Sequence, residues 1–419
     1  MKFINSKPKS SQTKNEGTPH HTLLQHLFLI NHASNYLSLY LSFYIRFPLL
    51  YLISFFYYDS MMKKVLIGLS GGLDSAVAAK LLQNDGFLIS SCTLLLLDTL
   101  HCDTTGEVCA VERAKAISST LGIQHTVYDC RKEFKTRVID YFVHTYKIGH
   151  TPNPCYRCNK EIKFGLMLDI AKREGFDFLA TGHYAIVQKE EGERVHLLKA
   201  QDASKDQSYF LSGLSKAQLA YVLFPLGSHT KNQARELAQS YDLFNEQISE
   251  SQDICFAADG DYAKAIDSFC ERDDFPTGSF VDAKGRVLGQ HKGIQHYTIG
   301  QRRGLAIALG YPTYVLQKDA RNNTVTIGKK EQLLCHSLIA RELNIIEDLP
   351  LNECIAVQVR TRYRQTERQA FLTLRQYDGE LEALVEFAEP ETAVATGQVA
   401  VFYNALVCLG SGIIKETFS

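Results

Sequence analysis

Three thiols and one glycine-rich turn hold the chemistry legible in this chain. The turn is Gly68-Leu69-Ser70-Gly71-Gly72-Leu73-Asp74-Ser75. Gly71 and Gly72 let backbone N–H groups approach a phosphate closely, while Ser70 and Ser75 add hydroxyl donors. A helix starting there would aim its free N–H groups and positive dipole end at the same anion. No Gly-Lys-Ser/Thr ending is present, which excludes a Walker A loop. Two of the thiols, Cys155 and Cys158, lie in Thr151-Pro-Asn-Pro-Cys-Tyr-Arg-Cys-Asn-Lys-Glu-Ile-Lys-Phe164; the third, Cys255, lies in Ser249-Glu-Ser-Gln-Asp-Ile-Cys-Phe256. Cys155-x-x-Cys158 suits half a zinc site, a redox pair or a chance spacing. No second Cys-x-x-Cys or His pair follows at zinc-ribbon spacing. Cys158 is expected to open a helix from Asn159 to Arg173, whose N-terminal field, with Lys160 and Lys163, would lower a thiol pKa. Cys92, Cys270, Cys335, Cys354 and Cys408 have apolar neighbours and read as packed core residues. Cys102 and Cys109 fall in an expected loop.

The elements that must position these groups alternate between strand and helix. Lys64 to Ile67 reads as a buried parallel strand, and Ala76 to Leu82 as a helix packed on a sheet. Strands are expected within Gly86–Leu97, at Gln124–Tyr128 and at Phe176–Thr181, with helices at Glu107–Leu121 and Glu133–Tyr146. Such βα repetition implies a parallel sheet with ligand sites beyond the C-terminal ends of its strands. The loop at 68–75 and Gly182-His183 both fall at such ends.

The second half changes character. Thr230 to Tyr241 has helical periodicity. Gly278 to Gly304 interleaves glycines, tyrosine and the basic residues Lys284, Arg286, His291, Lys292, His296, Arg302 and Arg303, a mixture suited to phosphate contact and base stacking. Runs at 325–327, 355–359, 370–374, 383–387 and 398–403 predict a small antiparallel barrel or sandwich. On a strand, Arg360, Arg362 and Arg364 would share one face and form a phosphate-binding edge.

At 419 residues the chain is long enough for two or three domains. A net charge of −1 makes any nucleic-acid surface a local matter. Eleven irregularly spaced cysteines suit a reducing cytoplasm rather than a disulfide scaffold. Residues 1–60 differ from the rest: polar to His21, then aromatic and Leu-rich from Tyr36 to Tyr58. That stretch is long enough to cross a bilayer, but Arg46 and Pro48 near its middle argue against a membrane span. The leading expectation is a start at Met61 or Met62 with 1–60 as upstream sequence translated in error; a membrane anchor is the alternative.

Taken in order, the glycine loop, Thr-Pro-Asn-Pro-x-x-x-Cys-Asn-Lys-Glu-Ile-Lys-Phe, Ala180-Thr-Gly-His-Tyr-Ala185 and Lys205-Asp-Gln-Ser-Tyr-Phe-Leu211 form one series. Ile254-Cys-Phe256, Tyr297-Thr-Ile-Gly-Gln-Arg-Arg-Gly304 and Arg362-Tyr-Arg364 complete it. From Met62 almost to the C terminus, the chain closely resembles the bacterial tRNA-specific 2-thiouridylases, the MnmA family of ATP pyrophosphatases. The resemblance implies an α/β fold. A parallel-sheet pyrophosphate-loop domain (62–262) is followed by a small central β-rich, tRNA-binding domain (263–330) and a C-terminal antiparallel β-barrel (331–419). It implies that ATP adenylates the C2 oxygen of a wobble uridine, a very poor leaving group otherwise, and that sulfur replaces it. Gly68 to Ser75 would hold the phosphates with Mg²⁺, and Gly182 would border the adenosine. Cys255 would receive sulfur as a persulfide from a donor protein. Cys158 would be the second catalytic cysteine, attacking or resolving that persulfide and leaving a Cys158–Cys255 disulfide. Asn153, Pro154, Cys155, Lys205, Asp206, Gln207, Arg362 and Tyr363 are the implied tRNA contacts. One departure stands out: the family form has Asp directly after Asn-Pro, where this chain has Cys155. Cys155, Cys158 and Cys255 together are the ligand set related thiolases use for a [4Fe–4S] cluster, so a cluster-dependent variant is an alternative. Another adenylating ATP pyrophosphatase and a non-enzymatic RNA-binding module are the rival readings. The first lacks the Cys158 and Cys255 pairing, and the second leaves the loop and thiols idle.

Overall fold

Alternating apolar runs build a five-stranded parallel sheet in the N-terminal half of the described chain. The computed structural model describes residues 62–97, 110–190, 194–243, 254–257, 262–271 and 274–419. The expectations for residues 1–60, Cys102 and Cys109 lie outside them. Residues 63–419 form one compact unit.

β1 (Lys64–Gly68) leads into α1 (Leu73–Asn84), whose Ala76, Val77, Ala78, Ala79 and Leu82 are buried against the sheet. β2 (Leu88–Leu95), α2 (Ala110–Leu121) and β3 (His125–Asp129) follow. α3 spans residues 131–147 and α4 residues 154–173. Both relax into wide π-type turns, at Lys135–Ile139 and Asn159–Leu166, a distortion frequent at functional sites. β4 (Phe178–Ala180) lies beside β1, giving the order β3-β2-β1-β4 and then β7 (Val222–Leu223). The order reverses between β1 and β4. In an open parallel sheet that crevice is where ligands bind.

β5 (Ile186–Lys189) and β6 (Val195–Leu198) do not join this sheet. Short helices α5 (Ser208–Leu211) and α6 (Lys216–Leu219) follow, then α7 (Lys231–Ser240), capped by the Thr230 side chain as its threonine start suggested, and α8 (Tyr262–Phe269). A second sheet holds β8 (Gly278–Val281), β9 (Val287–His291), β10 (Tyr314–Asp319) and β11 (Thr324–Gly328) in the order β10-β11-β8-β9. The C-terminal strands are β12 (Leu334–Ile345), β13 (Cys354–Arg360), β14 (Arg368–Tyr377), β15 (Glu380–Thr392), β16 (Val399–Asn404) and β17 (Val407–Phe418). They run β12-β15-β14-β13-β16-β17, and pairing of β12 with β17 closes the barrel. The β5–β6 hairpin adds to its side, with Leu197 opposite Cys408 and Leu198 opposite Val407. The parallel-sheet half therefore lends two strands to the barrel, across the boundary drawn from sequence.

The barrel strands carry alternating buried apolar side chains (Leu338, Val357, Leu372, Val385, Phe402), each contributing about 1.5–3 kcal/mol by burial. Two expectations fail here. β13 ends at Arg360, and residues 361–365 turn because Thr361 N–H and Oγ1–H both donate to Gln365 Oε1, at 2.9 and 2.8 Å. Arg360, Arg362 and Arg364 therefore share no strand face. Of the cysteines read as core, Cys92, Cys335 and Cys408 are buried, but Cys354 is exposed and Cys270 only half-buried.

Candidate active site

The loop between β1 and α1 is fixed from three sides. Leu69 N–H donates to Cys92 O at 2.8 Å, and Thr93 Oγ1–H donates to Leu69 O at 2.7 Å. Ser75 Oγ accepts from Ser70 N–H and donates to Gly72 O, at 3.3 and 3.0 Å. Gly71 has φ +75°, and a Cβ there would lie 2.6 Å from Ala110 O. A Cβ on Gly182, beyond β4, would lie 2.6 Å from Ser75 N and 2.7 Å from Asp74 C. The two loop ends picked out in the sequence therefore touch, with only hydrogen tolerated between them.

Asp74, in the first turn of α1, is held by residues from far along the chain. Lys231 Nζ donates to both of its oxygens, at 2.7 and 2.9 Å, and Tyr184 O–H donates to Oδ1 at 2.7 Å. Lys231 is 6% exposed at the start of α7. The carboxylate of the loop thus already faces a cation. Beside it, His183 Nδ1 is paired with Thr181 Oγ1 at 2.8 Å, and its ring packs on Phe164 and Phe224. Desolvation, then the Lys163 charge, hold His183 well below the usual imidazole pKa, so it is neutral.

α4 places the first two thiols. Asn153 caps it by accepting the Tyr156 N–H at 3.0 Å, and Pro154 occupies the first turn. The helix therefore begins at Pro154, four residues before Cys158 and not at it. Cys155 and Cys158 are one turn apart on one face. Cys158 is 8% exposed, in a cluster with Phe134, Val138, Ile139 and Ile162. The low-pKa expectation is overturned: burial pushes Cys158 up to about 12 and Cys155 up to about 11, outweighing Lys163, which acts to lower both. Cys255 is surface-exposed, yet desolvation on its protein side raises its pKa, with Lys163 again opposing. Each of Cys155 and Cys158 feels the Cys255 charge, and Lys163 acts to lower the pKa of all three thiols. Phe256 seats Cys255 by packing edge-on against Phe134 and Phe142, at 6.2 and 5.1 Å. Next to Cys158, Asn159 is 3% exposed with its Oδ1 unpaired, an acceptor costing about 1–3 kcal/mol until it is filled.

The expected RNA contacts divide. Lys205 and Gln207 are half-buried. Asp206 is 3% exposed and accepts from Ala200 N–H and Ser208 N–H, both at 3.1 Å, and from Ser208 Oγ at 2.9 Å. Its remaining partner is Arg360 Nη1 at 3.1 Å. Asp206 is thus turned inward, away from any surface an RNA could meet. Arg362 is exposed and anchored by Nη2 to Thr392 O and Ala393 O, and the Tyr363 ring lies 4.3 Å from that of Phe210. In the turns and loops that flank the central sheet, Lys284, Arg286, Lys292, Arg302 and Arg303 are exposed. His291 is not part of that surface: it is 2% exposed, and its two ring nitrogens contact Asn323 O and Gly293 N–H.

Comparison with known proteins now bears on this arrangement. Residues 63–259 match the family described as tRNA methyl transferase HUP domain, 269–329 its PRC-barrel domain, and 335–414 an aminomethyltransferase beta-barrel domain. The tRNA-specific 2-thiouridylase MnmA of Treponema denticola is 50% identical over 359 residues, covering 84% of this chain and 98% of that protein. This chain belongs to the MnmA family. Its namesakes from Halothermothrix orenii and Acetivibrio thermocellus are each 40% identical, over 85% and 84% of this chain and 100% and 99% of theirs.

Within this MnmA-family chain, sequence reasoning missed Lys231 and the Tyr184 hydroxyl. It also missed Gln398, whose Nε2 donates to Thr151 O and Pro152 O at 3.1 and 2.9 Å, strapping the cysteine loop to the barrel. Gly397 completes that strap: its φ is +87°, and a Cβ would lie 3.0 Å from the Thr151 backbone. A lysine heading an amphipathic helix and a glutamine in a strand run carry no local signal of these roles.

Proposed function

We infer that the protein is a tRNA sulfurtransferase that makes 2-thiouridine, using ATP to activate the uridine C2 oxygen. The observation carrying this reading is that α4, which bears Cys155 and Cys158, packs on the nucleotide cradle: its Phe164 ring lies 5.6 Å from that of His183, next to Gly182, and its Met167 lies against Gly68, where a Cβ would stand 3.1 Å from the methyl carbon. In the first step the C2 oxygen attacks the α-phosphorus and pyrophosphate leaves. Residues 68–75 bind the phosphates through backbone N–H groups and the end of α1. Asp74, whose Oδ2 accepts only from Lys231 among the described residues, would be the carboxylate available to a Mg²⁺ bound with the nucleotide, which would supply charge neutralisation for pyrophosphate as a leaving group.

In the second step, exposed Cys255 carries a persulfide received from a donor protein. Its terminal sulfur goes to C2 and AMP departs with the oxygen. Cys158, attacking or resolving the persulfide, forms the bond to the Cys255 sulfur, and a two-electron thiol reductant then restores both. Asn153, Pro154, Cys155, Lys205, Gln207, Arg362 and Tyr363 line the approach for the tRNA, while Asp206 serves it from beneath. Domain limits of 62–262, 263–330 and 331–419 remain a useful division apart from the β5–β6 hairpin. All nine described cysteines are free, which suits a reducing cytoplasm. Among the described residues no helix is long and apolar enough to cross a membrane. Among them, too, no group of three or more His, Cys, Asp or Glu is arranged to hold a metal ion. A [4Fe–4S] cluster held by Cys155, Cys158 and Cys255 stays the alternative reading, and no step is routed through one.

The test is mass spectrometry of tRNA nucleosides from cells lacking this protein. Wobble 2-thiouridine is expected to vanish and to return with the wild-type gene; an unchanged level rejects the assignment.

A further inference from the structure

The inward turn of Asp206 has a consequence for how the two substrates meet. Asp206 and Arg360 are a buried ion pair, their side chains 1% and 15% exposed. Arg360 Nη2 also reaches Glu367 Oε1 at 2.8 Å, and Lys199 Nζ reaches the same oxygen at 2.6 Å. Arg360 and Lys199 both lie over the Tyr403 ring, at 5.3 and 4.5 Å. This network ties the 205–210 segment to the 360–367 turn, where Tyr363 packs on Phe210. One residue on from Asp206, Gln207 exchanges two hydrogen bonds with Tyr184: Gln207 N–H donates to Tyr184 O at 2.8 Å, and Tyr184 N–H donates to Gln207 Oε1 at 2.9 Å. The Tyr184 hydroxyl in turn donates to Asp74. A continuous path therefore runs from the basic turn on the barrel to the carboxylate of the phosphate loop.

We propose that Arg360 is a positioning residue that couples tRNA binding to nucleotide binding through Asp206, Gln207, Tyr184 and Asp74. The inference rests on the tRNA-thiolation reading above. RNA seated on Lys205, Arg362 and Tyr363 fixes the 205–207 segment. That segment fixes the Tyr184 backbone, and the Tyr184 hydroxyl then holds Asp74 in the orientation the triphosphate needs. Contiguity alone does not establish coupling, so the test reads coupling itself.

Binding of a non-hydrolysable ATP analogue to the full chain is measured calorimetrically with and without unmodified tRNA. For the wild type, tRNA is expected to tighten nucleotide binding by at least roughly fivefold, and nucleotide to tighten tRNA binding by the same factor. Arg360→Met is expected to bring that factor within about twofold of unity while leaving nucleotide affinity without tRNA unchanged. Because Arg360→Met strands a buried carboxylate, Tyr184→Phe serves as the second variant: it keeps the ring, removes only the hydroxyl, and is expected to lose the factor too. A wild-type factor within twofold of unity, or full retention of the factor in a folded variant, overturns the proposal. Equal loss of affinity with and without tRNA also overturns it, since that marks a purely structural ion pair. If tRNA fails to bind at all, the thiolation reading is what fails; if tRNA binds and is thiolated without coupling, only this inference does.

Discussion

Asp74 stands with both oxygens bonded to Lys231 and one to Tyr184, whereas Cys158 stands as a neutral thiol in an apolar cluster with its pKa pushed up to about 12. The nucleotide site therefore has its glycines, helix end and charge pair in place before ligand arrives, with the final orientation of Asp74 left for tRNA to fix. The thiol site is not ionised: Cys255 faces solvent, Cys158 does not, and the Lys163 charge that acts on both is outweighed by desolvation. The difference suits a two-step reaction. In the proposed reaction, activation calls for a cradle already in place, while sulfur transfer calls for a thiolate formed only once the adenylated base is bound, which would protect it from solvent and oxidants.

That contrast breaks most visibly at Lys231. Lys231→Met removes the cation facing Asp74 and is expected to raise the ATP KM by roughly tenfold, equivalent to about 1.4 kcal/mol. Alkylation of Cys255 by iodoacetamide should keep its wild-type rate. A variant with unchanged KM and slowed alkylation would mean that the two regions are not distinct. The thiol side is probed by Lys163→Ala. Lys163 lowers the pKa of both catalytic thiols, so its loss moves each pKa further up and leaves less thiolate at any given pH. The alkylation profiles of Cys158 and Cys255 are expected to shift to higher pH. A shift to lower pH would contradict the assigned sign.

What the sequence revealed and what it hid follow one physical line. The loop at 68–75, Gly182 and the cysteines were legible because backbone approach and sulfur chemistry demand particular residue types. The parallel sheet and the barrel strands were legible from their apolar periodicity. Lys231 was not, because its partner Asp74 lies 157 residues away and a lone lysine has many uses. Lys205-Asp206-Gln207 read as one exposed polar triplet, yet the structure turns its middle member inward onto Arg360. The sense of the Cys158 shift was misjudged for a related reason. The helix starts at Pro154, so the dipole end is not at the thiol, and Phe134, distant in sequence, and Ile162, one turn along the same helix face, supply the burial that wins. The β5–β6 hairpin was missed because it joins strands two hundred residues later.

The separation of activation from sulfur transfer is tested most directly with Cys158→Ser, mixed with ATP and unmodified tRNA in the absence of any sulfur donor and quenched over time. The account predicts a burst of about one pyrophosphate per enzyme, as in the wild type without donor, no 2-thiouridine, and none when donor is added. Absence of the burst in Cys158→Ser, with the wild type giving one, would contradict it by making the thiol part of the activation step.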